Sequence, residues 1–372
     1  MGSEEKNKSH FLAADLLRGV AIIMVVIYHS FGRVYGAALP WSGWYRNFAA
    51  SPSRMFLYFY PVTFGWAGVS LFFVLSGFLI TQILLINRET GQSLFQFYAR
   101  RVLRIFPLYF FVLFTAYAFN IPECRKYFPY LITYTSNFIT ALTQGDTGYM
   151  AHLWSLGVEE QFYVFFPLLI LLIPKRFYLK CFFAIAFLAL VSRVCIYFFT
   201  ADNVKTLWLS YMLTPCCLDC FATGSILAYL RINEPSRLNK ILKNNYLFIF
   251  FGLLCIIPAL PGFYPLIRFS FLRTAISVSC FWIIGKASTT GIQGIGGRIL
   301  DNRIVVYLGK ISYGLYIYHQ FVPWIFNHFP SIPTFFYFPV TIAIAALSWH
   351  LLELPVIRLK KYFKYKATVS SL

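Results

Sequence analysis

Apolar runs of about twenty residues recur along the whole sequence, with the basic residues falling between them. A helix that crosses a hydrocarbon core of about 30 Å needs roughly 20 mostly apolar residues. Runs centred within 11–35, 60–86, 103–121, 155–173, 178–199, 207–230, 245–260, 265–285, 304–325 and 334–352 therefore predict about ten membrane-spanning helices. No repeat, low-complexity tract or separate soluble domain stands between them. The predicted fold class is all-α, a polytopic transmembrane bundle. It comprises a short N-terminal segment (1–10), one membrane domain (11–357) and a basic tail (358–372). The first run is longer than a signal-peptide core and is interrupted by Asp15, Arg18 and His29, so it reads as a span rather than a cleaved leader.

Composition agrees. The 372 residues are 59% hydrophobic and 12% charged, with a mean hydropathy of +0.66, whereas soluble domains carry about a quarter charged residues. The net charge of +19 reports topology rather than nucleic-acid binding, because no soluble basic face is present to carry it. Starting the N-terminus in the cytoplasm places Arg88, Arg100, Arg101, Arg104, Lys175, Arg176, Lys180, Arg231, Arg237, Lys240, Lys243 and the basic tail inside. Few basic residues remain outside, so the positive-inside bias predicts an even number of spans with both termini cytoplasmic. The two main outer loops are then about 36–60 and 122–153. Pro40, Trp41, Trp44 and Tyr45 in the first could stack on sugar rings or line the membrane interface.

Seven of the eight cysteines lie in or near spans and Cys124 stands in an outer loop, so no disulfide framework follows. Cys217 and Cys220 have CxxC spacing, but on an apolar helix small packing residues are the better reading. No metal motif is present.

Charges at bilayer depth cost at least about 2.5 kcal/mol each, so each one points to function. Arg18 and His29 are eleven residues apart, which leaves about 20° of rotation and about 16.5 Å of rise on one helix. Both face the same side, with Arg18 near the cytoplasmic entrance and His29 in the outer half. Arg is suited to an anionic group and neutral His to general base catalysis. Polar helix contacts are the plainer alternative for the pair. Ser155, Glu159 and Tyr163 recur every four residues and form one stripe, with Glu159 at the depth where it could orient His29. Glu160 beside it could be merely interfacial. Ser76 and Gly77 lie mid-membrane, where small residues admit a close helix or a slim ligand. Arg100, Arg101 and Arg104 could hold phosphates or anchor lipid. Asp219 is costly unless it has an internal partner or cavity, while His319 and Glu353 read equally as structural or functional.

In order, these segments resemble the acyltransferase 3 family of membrane acyltransferases, from about Asp15 to Glu353. Arg18 with His29 is similar to its Arg-x10-His signature, and Phe72-Phe73-Val-Leu-Ser76-Gly77 to its FFxxSG element. Arg100-Arg101-Val-Leu-Arg104-Ile-Phe-Pro107-Leu-Tyr109 resembles its RRxxRIxPxY segment, and Ser155 through Tyr163 its SxxxExxxY element. Gly309-Lys-Ile-Ser312-Tyr313-Gly-Leu-Tyr316-Ile-Tyr-His319 resembles its late GKISYxLYxxH segment. The chain departs in having Cys217 where relatives often carry Arg two residues before Asp219, which leaves the pairing of that Asp open.

The resemblance implies a ten-helix fold and a multi-pass protein of a bacterial inner membrane. It implies O-acyl transfer with cytoplasmic acyl-CoA as donor substrate rather than resident cofactor; acetyl, from acetyl-CoA, is the expected group, with succinyl or a longer acyl group the alternative. The acceptor would be a hydroxyl of an exported carbohydrate. The resemblance also implies catalysis dependent on Arg18 and His29. On the placements read above, Glu159 would tune or orient His29; the donor would meet Arg18, Ser76, Gly77, Arg100, Arg101 and Arg104; and the acceptor side would use Ser155, Tyr163 and Asp219. Some relatives append an extracytoplasmic esterase-like domain that these 372 residues do not contain, so the chain is expected to act alone or with a glycan-assembly partner or a second copy. A transporter or flippase lined by the same ionisable residues is the alternative from another class. Net substrate movement without covalent change would identify it.

Overall fold

The computed structural model describes residues 3–34, 64–200, 202–256, 265–289, 302–327 and 336–363. The loop carrying Pro40, Trp41, Trp44 and Tyr45 lies outside the described residues. Within them the regular structure is helical throughout, with no strand. This is what a chain must do where water cannot satisfy its backbone groups.

The long helices are α1 (Ser3–Val34), α2 (Ala67–Glu89) and α3 (Leu94–Ala118). Three short helices follow, α4 (Pro122–Lys126), α5 (Phe128–Ile132) and α6 (Ser136–Leu142). Next come α7 (Trp154–Leu172), α8 (Tyr178–Phe199), α9 (Asn203–Met212) and α10 (Thr214–Asn233). The remainder holds α11 (Pro235–Lys243), α12 (Asn245–Ile256), α13 (Pro265–Thr289), α14 (Arg303–Lys310), α15 (Ser312–Tyr318), α16 (Phe321–Asn327), α17 (Tyr337–Ser348) and α18 (Leu354–Arg358).

All ten apolar runs are helical where described, yet six helices are long and apolar enough to cross a membrane, or seven if α9 and α10, bent by 44° at Leu213, form one span. Of the three remaining runs, 265–285 lies in the 25-residue α13, and the other two fall short for visible reasons. The described part of 245–260 is the 12-residue α12, and 304–325 is broken at Ile311 and at His319–Gln320 into three pieces. The predicted outer segment 122–153 is a packed cap rather than an open loop. The Tyr109 hydroxyl donates to Leu131 O at 2.7 Å and that of Tyr127 to Asp146 O at 3.0 Å. Gly145, at φ +86°, sits flat on Trp208, where a Cβ would lie 2.2 Å from the ring. Asn137 ties the cap to the bundle, accepting from Gln161 Nε2 at 2.9 Å and donating to Thr214 Oγ1 at 3.1 Å. Cys124 is buried in this cap and its thiol is pushed up to about 11 by burial. A thiol held above its ordinary value stays protonated at pH 7, so maleimide treatment of the folded protein at that pH should leave Cys124 unmodified.

Two glycine crossings set the geometry of the core. On α2, a Cβ at Gly77 would lie 2.2 Å from Phe221 O, and on α10 one at Gly224 would lie 2.1 Å from Val74 O. Where α1 crosses α14, Cβ atoms at Gly19 and Gly309 would fall 2.1 Å from Val305 O and 1.6 Å from Asp15 O. Lipid offers no hydrophobic force between helices, so such close backbone approach is what holds them. Any side chain at Gly309 must push α1 away and displace Arg18 with it. Gly309→Ala should destabilise the purified protein by about 1–3 kcal/mol, read as a lower midpoint of thermal unfolding.

Candidate active site

A cavity of about 90 Å³ lies where α1, α2, α3, α7 and α15 meet. Seven residues singled out in the sequence line it together: Arg18, Ser76, Arg101, Arg104, Ser155, Glu159 and Tyr163. The three-residue stripe on α7, Ser155, Glu159 and Tyr163, therefore faces one space. Glu160, which could have been merely interfacial, is buried on the same wall with Tyr313 and Tyr316 of α15.

The polar groups of this cavity form an ordered chain. The Tyr163 hydroxyl donates to Ser76 Oγ at 2.9 Å, and Ser76 Oγ donates to Glu159 Oε1 at 2.8 Å. The Arg101 guanidinium stacks on the Tyr163 ring, 4.8 Å from its centroid. Arg18 pairs with Asp15 one turn before it at 3.1 Å, and the pair remains about one quarter exposed. Three arginines and a hydroxyl–hydroxyl–carboxylate relay thus share one small volume. Such a site suits an anionic ligand whose reacting end enters a drier space.

His29 lies outside this cavity. Its Nδ1 is 2.9 Å from Val25 O, a carbonyl that can act only as acceptor, so Nδ1 carries a proton. The His29 ring packs 4.9 Å from that of His319, which is 5.0 Å from His152. His319 Nδ1 likewise faces Tyr316 O, and His152 Nε2 faces Ile317 O at 3.1 Å. Tyr316 joins the two regions. It lines the cavity, its hydroxyl donates to His152 O at 2.8 Å and lies 2.5 Å from Ser155 Oγ, and its ring is 5.4 Å from His319. The result is one polar line through the bundle, from the arginines past Glu159 and Tyr316 to three histidines. Among the described residues, no group of three His, Cys, Asp or Glu side chains is placed to hold a metal ion.

Other predicted contacts fall differently. Glu159 accepts from Ser76, not from His29 as its depth suggested. Gly77 faces the α10 crossing. Arg100 donates to Lys360 O at 3.3 Å and Phe363 O at 3.2 Å, fastening the C-terminal segment to α3. Asp219 is fully buried on Arg193 Nη2 at 2.8 Å and Thr274 Oγ1 at 2.7 Å, so α8 supplies the arginine that the Cys217 position lacks. Arg273 donates instead to Cys217 Sγ and Tyr211 O. All eight cysteines are free.

A family model described as an acyltransferase domain matches residues 11–353, a range that contains every residue of the polar line. The chain belongs to this acyltransferase family. This acyltransferase is 28% identical to the O-acetyltransferase OatA of Staphylococcus aureus strain NCTC 8325 / PS 47, over 81% of this chain and 53% of OatA. It is 27% identical to a Staphylococcus aureus strain COL protein named "putative O-acetyltransferase", over 94% of this chain and 58% of that one. The chain spans about half the length of these curated relatives. No solved structure matches it.

His152, Tyr316 and Glu160 are the contributors that sequence reasoning left without a role, and it left His319 open. One signal was within reach. His152 precedes Ser155 by three residues and Tyr316 precedes His319 by three, the spacing of one helical face.

Proposed function

We propose that this acyltransferase is a membrane O-acetyltransferase, moving an acetyl group from cytoplasmic acetyl-CoA to a hydroxyl of a carbohydrate across a bacterial plasma membrane. The observation that carries this reading is the continuous polar line from Arg18, Arg101 and Arg104 to His29. A donor with phosphates at one end and a thioester at the other matches that line in order of charge. The arginines hold the phosphates, as guanidinium forks do well. The thioester passes Ser76 and Tyr316 toward His29. His29 Nε2 takes the proton of the acceptor hydroxyl while its oxygen attacks the thioester carbonyl. The C–S bond then breaks, and the departing sulfur receives the proton from His29. Glu159, held through Ser76 and Tyr163, balances the arginine charge beside the thioester. The relatives' O-acetyltransferase names support the choice of acetyl and of an oxygen acceptor. The basic segments assigned to one membrane face support the topology, since Arg88, Lys175 and Arg176 adjoin, as do Arg100 and the 360–363 segment.

The test is donor binding. Arg101→Gln should raise KM for acetyl-CoA about 10- to 100-fold, the worth of one charge-assisted contact, with a smaller change in kcat. Unchanged KM in both Arg101→Gln and Arg18→Gln would remove the donor from this cavity.

A further inference from the structure

A second cavity, of about 190 Å³, opens at the ends of three long helices, away from the polar line. It is lined by Arg88 and Glu89 at the end of α2, Lys175 and Arg176 before α8, and Tyr229 and Asn233 in the last turns of α10. Three cations against one carboxylate leave two positive charges in a recess formed by segments far apart in sequence.

The floor is fixed. Arg88 Nη1 serves the carbonyls of Ile170 and Ile173 and the Tyr178 hydroxyl, which closes the end of α7. Among the described residues, Arg88 Nε and Nη2 and the phenol oxygen of Tyr229 have no protein hydrogen-bond partner. Arg88 is thus tied into the floor of the recess through Nη1, and its guanidinium charge lines the space. The Lys175–Glu89 pair, 3.6 Å apart and about half exposed, is too loose to neutralise it. Beside the recess, Leu171, Leu172 and Phe177 are exposed, Leu172 by 78%. These side chains have no reason to face water, and they continue the lipid-facing surface of α7 and α8 up to the charged rim.

We infer that this recess binds the phosphate of an anionic phospholipid headgroup, whose acyl chains lie along Leu171, Leu172 and Phe177. The occupant follows from the combination of features. Fixed guanidinium donors and two excess positive charges select a phosphate, and the apolar strip that begins at the rim selects one carrying acyl chains. A zwitterionic headgroup would set its own cation among three others. The site serves the bundle rather than the transfer chemistry, because it joins the ends of α2, α7, α8 and α10 and shares no lining residue with the cavity of Ser76 and Glu159.

The full chain, purified in detergent, can be titrated with dioleoylphosphatidylglycerol or dioleoylphosphatidylcholine, with bound lipid counted by native mass spectrometry. Phosphatidylglycerol should be retained selectively, and the exposed double variant Lys175→Gln/Arg176→Gln should hold it about 30-fold more weakly. Arg88→Lys, which keeps the charge but loses the fork, should weaken it as well and serves if the double variant folds poorly. Equal retention of the two lipids, or phosphatidylglycerol retention unchanged in the double variant, would overturn the assignment. Displacement of the lipid by millimolar inorganic phosphate would also overturn it, giving the recess to a soluble phosphate ester. None of these readouts depends on acyl transfer.

Discussion

His29→Ala should reduce acetyl transfer by about 10²- to 10⁴-fold, the usual worth of a positioned general base, with unchanged protein in the membrane. The structure argues for a loss of chemistry rather than of fold. His29 is half-buried, its Nδ1 bond is local to α1, and its ring packs against those of Tyr28 and His319. His29→Gln should fail almost as fully, because an amide restores hydrogen bonding without supplying a base. His319→Gln should cost less, since His319 supports the His29 ring rather than meeting the acceptor. Rates in isolated membranes at matched protein level check all three. Native rates in His29→Ala would move the reaction to another residue.

The second large effect is on stability. Arg193 and Asp219 are both essentially removed from solvent, and Arg193 also donates to Ser270 O, Cys216 O and Thr274 Oγ1. Removing one partner of such a pair leaves an uncompensated charge in a medium that cannot solvate it. Arg193→Met alone should therefore destabilise the bundle by about 3–5 kcal/mol, seen as a lower unfolding midpoint and reduced membrane level. Arg193→Met with Asp219→Asn should recover much of that loss, because no lone charge remains. A single variant as stable as the native protein would mean that Asp219 is neutral or finds another cation.

These expectations mark how far the sequence could be read. Spacing on one helix was informative: Ser155, Glu159 and Tyr163 share the cavity because four residues are nearly one turn, whatever the helix packs against. What packs against that face depends on crossings, and crossings depend on glycines whose partners are backbone atoms hundreds of residues away, as with Gly309 and Asp15. For that reason Gly77 and Ser76, adjacent in sequence, serve different surfaces. The cost of a buried charge predicted an internal partner or cavity for Asp219 without naming which residue supplies it. Hydropathy counted 304–325 as one span because a window averages over the break at His319–Gln320. His319, at that break, packs its ring 4.9 Å from that of His29.

The most direct test of the account follows label from acetyl-CoA. Inverted membrane vesicles exposing the donor side would receive [14C]acetyl-CoA, and carbohydrate recovered from the vesicle lumen would be counted for the native protein and for His29→Ala. The account predicts acetyl ester label on luminal carbohydrate with the native protein and its loss with the variant. Label that stays equal in both, or carbohydrate that crosses the membrane without acquiring acetyl, would contradict it.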